Sequence, residues 1–195
     1  MDSDCCRLIQ RCHQLIKREQ ILLPIFVLQR VEEAVRSIFR VSDKKENKLY
    51  LNYPIKNTEI KSINLIKKYY KNTNGYQSLS TAFEIGPQKT INLIKESGLT
   101  GRGGAAFPTG IKMQTVFDQD SSLKYLACNA DEGDGGTFSD RLIMESDPFA
   151  LIEGMTIAAY AVGASKGYIY LRSEYPLAKD YLLKAINIAS DNHYL

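Results

Sequence analysis

From Leu123 onward the chain alternates strand, helix, strand, helix, and that order admits few folds. LKYLAC (Leu123 to Cys128) is an apolar run of strand length. Asp147 to Gly163 follows, with an aspartate at the N-cap position, Pro148 in the first turn, and apolar residues at Leu151, Ile152, Met155, Ala158, Ala159 and Val162. GYIYLR (Gly167 to Arg172) is rich in β-formers. Pro176 to Ala189 has the pattern of a further amphipathic helix. Successive strands joined by a helix pair in parallel, since a helical crossover returns the chain to the same end of the sheet. The predicted fold class is therefore α/β, a Rossmann-like parallel sheet with βαβ units, preceded by an α-helical N-terminal extension.

The extension is read from residues 4–41. Apolar residues recur there at helical spacing: Leu8, Cys12, Leu15 and Ile16, then Val27, Leu28, Val31, Val35, Ile38 and Phe39. Pro24 divides this stretch into two predicted helices, the second starting near it. Residues 42–58 are polar and turn-rich and read as a linker. Ile60 to Tyr70 is a lysine-rich amphipathic helix, and KNTNG (Lys71 to Gly75) is a turn. Pro87 to Ser97 is predicted as a helix with Gly98 as its C-terminal cap. The predicted domains are residues 1–75, a helical extension with a polar linker, and residues 76–195, an α/β domain.

A chain of 195 residues, 44% of them hydrophobic, suffices for one domain with a core of its own. The net charge of +3 is mild and no long basic block occurs, which argues against nucleic-acid binding. No apolar stretch reaches membrane-spanning length, and the first residues do not form a secretory signal. The expected location is cytoplasmic. Cys5, Cys6 and Cys12 lack the paired spacing of metal sites and read as free thiols, and Cys128 reads as a buried small hydrophobe.

Two clusters carry the candidate chemistry. The first is SGLTGRGGAAFPTGIK (Ser97 to Lys112), with glycines at 98, 101, 103, 104 and 110. Glycine leaves room where a side chain would stand, so dense glycine suggests backbone drawn close to a phosphate or a flat cofactor. Lys112 would add positive charge there, and Phe107 could stack on a flat ring. The second is NADEGDGGT (Asn129 to Thr137), placed just after the first strand, where ligands sit in open α/β sheets. Asn129 can donate and accept, whereas ionised Asp131 and Glu132 only accept. Each cluster alone also reads as a glycine-rich turn or a solvated acidic turn. The first follows neither the nucleotide-triphosphate loop order nor Gly-x-Gly-x-x-Gly, whose sixth position is Ala106.

The wording of both clusters, continued through CNADEGDGGTFSDRLIMESDPFALIEGMTIAAYAVGASKGYIYLRSEYP, closely resembles the NADH-binding flavin subunit family of respiratory complex I. That family includes the diaphorase subunits of NAD-linked hydrogenases and the β subunit of NAD-dependent formate dehydrogenase, which the wording resembles most. The likeness covers roughly Ile91 to Leu183. It implies a non-covalent FMN, hydride exchange with NAD(H), and electron transfer to the iron–sulfur subunits of a larger complex. By the family pattern Gly101, Arg102, Gly103 and Lys112 would hold FMN from the glycine loop. Asn129, Asp131 and Glu132 would bind its ribityl chain and ring. Phe107 would stack on the adenine of NADH, and Asp134 stands where the family often has Glu near the nicotinamide.

Departures from the pattern open other readings. The family continues with a Gly-Glu-Glu strand, asparagines at the flavin phosphate, and cysteines for a four-iron cluster. The sequence ends at Leu195 before these, with no cysteine after Cys128, and the expectation is a C-terminally truncated subunit. Met113 replaces the usual Trp. Leu22 to Phe39 resembles the first helices of the family's thioredoxin-like partner subunit, with an unrelated helical pair as the alternative. For the whole chain, the alternatives to a partial NADH dehydrogenase are a non-catalytic remnant and a flavin-binding assembly module.

Overall fold

A computed structural model of the chain describes residues 25–28, 75–101, 105–134 and 136–195. Strands β1 (Ile25–Leu28), β2 (Tyr125–Ala130) and β3 (Lys166–Leu171) form one sheet in the order β1-β2-β3. Both pairings are parallel, with Ile25 opposite Tyr125, Tyr125 opposite Lys166 and Ala130 opposite Leu171. The α/β class and the parallel sheet stand as the sequence predicts.

Helices α1 (Gln77–Ile85), α2 (Pro87–Glu96) and α3 (Thr109–Phe117) precede β2. The crossover from β2 to β3 uses two helices, α4 (Ser139–Ser146) and α5 (Pro148–Val162), and α6 (Pro176–Asp191) follows β3. Among the described residues α5 is the central element, packing against β2, β3 and all five other helices. Its apolar residues run around the whole circumference, as a helix buried on every side requires. Leu151, Ile152, Ile157, Ala158, Ala161 and Val162 are all buried. The charged exception is Glu153, also buried, whose Oε1 accepts from Leu79 N at 3.2 Å. Leu79 lies in the first turn of α1, which no side chain of its own N-cap residue serves.

The structure corrects the reading over Ile25–Leu28, where a helix is predicted and a strand is found. IFVL is an unbroken apolar run with two β-branched residues and an aromatic one. Over four residues such a run suits a parallel strand as well as one face of a helix, and pairing with β2 decides it. The rest of the predicted helices over 4–41, the linker at 42–58 and the helix at 60–70 lie outside the described residues. So does the 71–74 part of the predicted turn.

Elsewhere α1, α3 and α4 are helices that the sequence reading did not place, and the other differences are in boundaries. β2 begins two residues later than predicted and runs on through Asn129 and Ala130. α2 starts on Pro87 as expected, and Gly98 takes φ 67° beyond its end. Asp147 caps α5 by accepting from Ala150 N at 3.1 Å. Cys128 is buried, as read from the sequence. No helix among the described residues is long and apolar enough to cross a membrane, and no group of three or more His, Cys, Asp or Glu there could hold a metal ion.

Candidate cofactor site

The two described ends of the glycine cluster meet each other between α2 and α3. Thr100 and Pro108 make an antiparallel bridge, Gly101 N donates to Phe107 O at 2.9 Å, and Thr109 N donates to Leu99 O at 2.9 Å. Ala106 takes φ 48°, which tightens the return. Phe107 is half exposed at the end of the loop, and Lys112 is exposed in the first turn of α3. Arg102 and Gly103 lie outside the described residues.

Two of the glycines have separate reasons to be glycine. A Cβ on Gly110 would stand 2.5 Å from Lys95 Cγ, 2.7 Å from Lys95 N and 2.9 Å from Lys95 Cα. Two of those are backbone atoms, so Gly110 is what lets α3 lie against the end of α2. At Gly101 a Cβ would meet only the Phe107 backbone, at 3.7 Å and 4.0 Å, an ordinary contact. Its φ lies outside the left-handed region too, so no packing or backbone strain among the described residues demands glycine at 101.

The acidic cluster leaves the C-terminal end of β2 through an Asx turn, in which Asn129 Oδ1 accepts from Asp131 N at 3.2 Å. Asp131 is exposed. Asp134 closes a second turn: its Oδ1 accepts from Gly136 N at 3.4 Å and its Oδ2 from Thr137 Oγ1 at 3.3 Å. Glu132 points the other way, into the protein. Its Oε1 accepts from Ser139 Oγ at 3.2 Å and Asp140 N at 3.1 Å. Its Oε2 accepts from Arg141 N at 3.3 Å and Tyr175 Oη at 3.3 Å. The carboxylate thus sits on the N-terminus of α4, whose own N-cap residue, Phe138, supplies no side-chain cap.

Residues past β3 complete this edge, and sequence reasoning did not single them out. Arg172 Nη1 donates to the Glu132 carbonyl oxygen, and Arg172 N donates to Ala130 O at 3.3 Å. The Tyr175 ring lies beside two guanidinium groups, with Arg141 Cζ 5.4 Å and Arg172 Cζ 5.8 Å from its centroid. Arg141 pairs with Glu145 at 2.8 Å and Arg172 with Glu174 at 3.1 Å. Burial pushes the Tyr175 phenol above its ordinary pKa, and the neighbouring Glu132 adds to this, while Arg172 and Arg141 oppose it. Hydrogen bonding to Arg172 holds the Glu174 carboxyl below the usual range. The same bond holds the Arg172 guanidinium above its usual pKa, and the nearby Asp131 charge works in the same direction. The available signal was position: RSEYP directly follows β3, at the sheet end where the Asn129 loop emerges.

Comparison with known proteins gives this edge its context. Residues 94–194, just over half of the chain, match the family described as the Nuo51 FMN-binding domain. The chain belongs to that family. A subunit of the NADH-quinone oxidoreductase of Rhizobium meliloti (strain 1021) is 46% identical over 142 residues, 72% of this chain and 34% of the relative. The HndC subunit of the NADP-reducing hydrogenase of Solidesulfovibrio fructosivorans is 47% identical over 117 residues, 60% of this chain and 24% of the relative. Among solved structures, the air-oxidized NAD+-reducing [NiFe]-hydrogenase matches with a TM-score of 0.54 and 36% identity, over 63% of this chain and 22% of that one. The chain spans about a third or less of the length of these relatives.

Proposed function

We propose that this chain binds FMN non-covalently at the C-terminal edge of its sheet and forms part of an NADH-oxidising flavin site. The observation that carries the reading is membership of an FMN-binding domain family, with the Asn129–Asp134 segment emerging at the end of β2. The residues present fit the group. A Cβ at Gly101 would meet only ordinary contacts among the described residues, so nothing in them calls for glycine there. Asn129 keeps its amide nitrogen for a ligand acceptor, and Asp131 is an exposed acceptor for hydroxyl or ring N–H groups. Lys112 and Arg102 offer positive charge to a phosphate.

Bound FMN would supply hydride exchange with NAD(H) and one-electron delivery onward. The chain's part is to orient and enclose. The glycine loop would hold the flavin, the exposed ring of Phe107 would serve the adenine of NADH, and Asp134 would serve the nicotinamide. Such positioning is the main lever a protein has on a reaction whose chemistry belongs to the cofactor. The partners on this reading are iron–sulfur subunits of a cytoplasmic complex of the NADH dehydrogenase, hydrogenase or formate dehydrogenase kind, with any four-iron cluster held outside these residues.

The test is titration of the chain with FMN, followed by flavin fluorescence quenching, beside a Gly101→Trp variant. A Cβ at 101 meets only ordinary contacts among the described residues, and circular dichroism checks that the variant folds, so that a loss of binding reports the indole in the ligand's place. Saturable quenching in the parent and its loss in the variant are expected. No binding by the folded parent chain would reject the reading. NADH-dependent bleaching of bound FMN then separates an enzyme from a flavin-binding module.

A further inference from the structure

Glu132 is filled to capacity by the protein itself. A carboxylate has about four lone-pair sites, and Ser139 Oγ, Asp140 N, Arg141 N and Tyr175 Oη each donate to one of its two oxygens. The residue is 4% exposed. Its carbonyl oxygen is also engaged, by Arg172 Nη1. Glu132 is therefore gripped at both side chain and backbone, while its neighbours Asp131 and Asp134 face solvent and Asn129 is only partly covered.

Two residues after β3 supply the long-range part of that grip. Arg172 is itself fixed by β2, through its N–H to Ala130 O, and by Glu174. Tyr175 is the N-cap of α6, and its ring lies close to both Arg141 of α4 and Arg172. The pair ties the ligand-side segment to the ends of β3, α4 and α6 at one point.

Resting on the FMN-binding reading above, we propose that Arg172 and Tyr175 are positioning residues for the flavin. They act through Glu132, whose carboxylate is spent on the N-terminus of α4 and touches no cofactor. Asn129 and Asp131 thereby meet the ribityl chain and ring already arranged, instead of ordering on contact. A segment that must order on binding gives up part of its interaction energy in doing so.

The experiment compares FMN and riboflavin binding by the full chain, by Arg172→Gln, Tyr175→Phe and Arg172→Lys, and by Lys112→Ala. It is run at a temperature where circular dichroism shows each variant folded. Loss of one hydrogen bond to a charged group corresponds to about tenfold in affinity. Arg172→Gln and Tyr175→Phe are expected to weaken FMN and riboflavin by the same factor of about ten, because the ring and ribityl side is disturbed. Arg172→Lys is expected to recover part of it by keeping a cationic donor. Lys112→Ala is expected to weaken FMN alone. Affinities of the Arg172→Gln and Tyr175→Phe chains within about twofold of the parent would overturn the proposal. If the parent chain takes up no flavin, the FMN reading falls by itself. Amide hydrogen exchange over residues 129–137 then judges the positioning: faster exchange in both variants supports it, and unchanged exchange overturns it.

Discussion

At the scale of single residues, Gly110 and Glu132 have duties that their neighbourhoods in the sequence conceal. Gly110 belongs to a glycine-rich run, yet it serves the contact of α3 with Lys95. Ala there would gain up to about 1 kcal/mol of helix propensity. It would lose about 1–3 kcal/mol to overpacking, because the Lys95 backbone cannot rotate aside. The clash wins, and Gly110→Ala is expected to lower the urea midpoint, whereas Ala at Gly101 should leave it nearly unchanged. Equal midpoints for the two variants would contradict this account. Glycine content alone could not separate the two positions, since one lies against a neighbouring helix and the other makes only ordinary contacts among the described residues.

At the scale of elements, the fold was legible where local chemistry agreed with the tertiary setting. Pro87, Pro148 and Pro176 each open a helix, and Asp147 caps the second of these. The β2 and β3 segments were visible as short apolar and aromatic runs. Ile25–Leu28 was not, because its strand character depends on a partner a hundred residues away in sequence. α4 was missed for a related reason. Its N-terminal acceptor is Glu132, seven residues upstream, and not the residue at the N-cap. The candidate site was legible as two clusters, whereas Arg172 and Tyr175 gained meaning only when β3 was paired beside β2. Glu132→Ala strips α4 of the acceptor for Asp140 N and Arg141 N, at a cost of about 0.5–2 kcal/mol, the scale of a lost helix cap. Faster amide exchange confined to the first turn of α4 is the expected signature, and protection equal to the parent's would refute the assignment.

At the scale of the molecule, the Tyr175 cluster sets an alkaline limit. The phenol's pKa is raised in the fold above its unfolded value of about 10. The folded state therefore binds this proton more tightly than the unfolded state. The associated stability is complete below about pH 10 and is lost as pH rises through the folded value. Ionised Tyr175 would face the Glu132 carboxylate at 3.3 Å, with Arg141 and Arg172 offsetting part of the repulsion. Unfolding midpoints measured from about pH 8 upward should fall more steeply in the parent than in Tyr175→Phe. Parallel curves would remove the phenol as the cause.

Glu153 reaches from the middle of α5 to the first turn of α1. A carboxylate in the most enclosed helix thus serves the start of a helix some seventy residues earlier in the chain. Undocking α1 would take the Leu79 amide away from this buried side chain, so fraying of α1 carries the cost of a lost buried hydrogen bond. The first described helix and the central one among the described residues are thereby coupled in their opening, through this hydrogen bond and their packing.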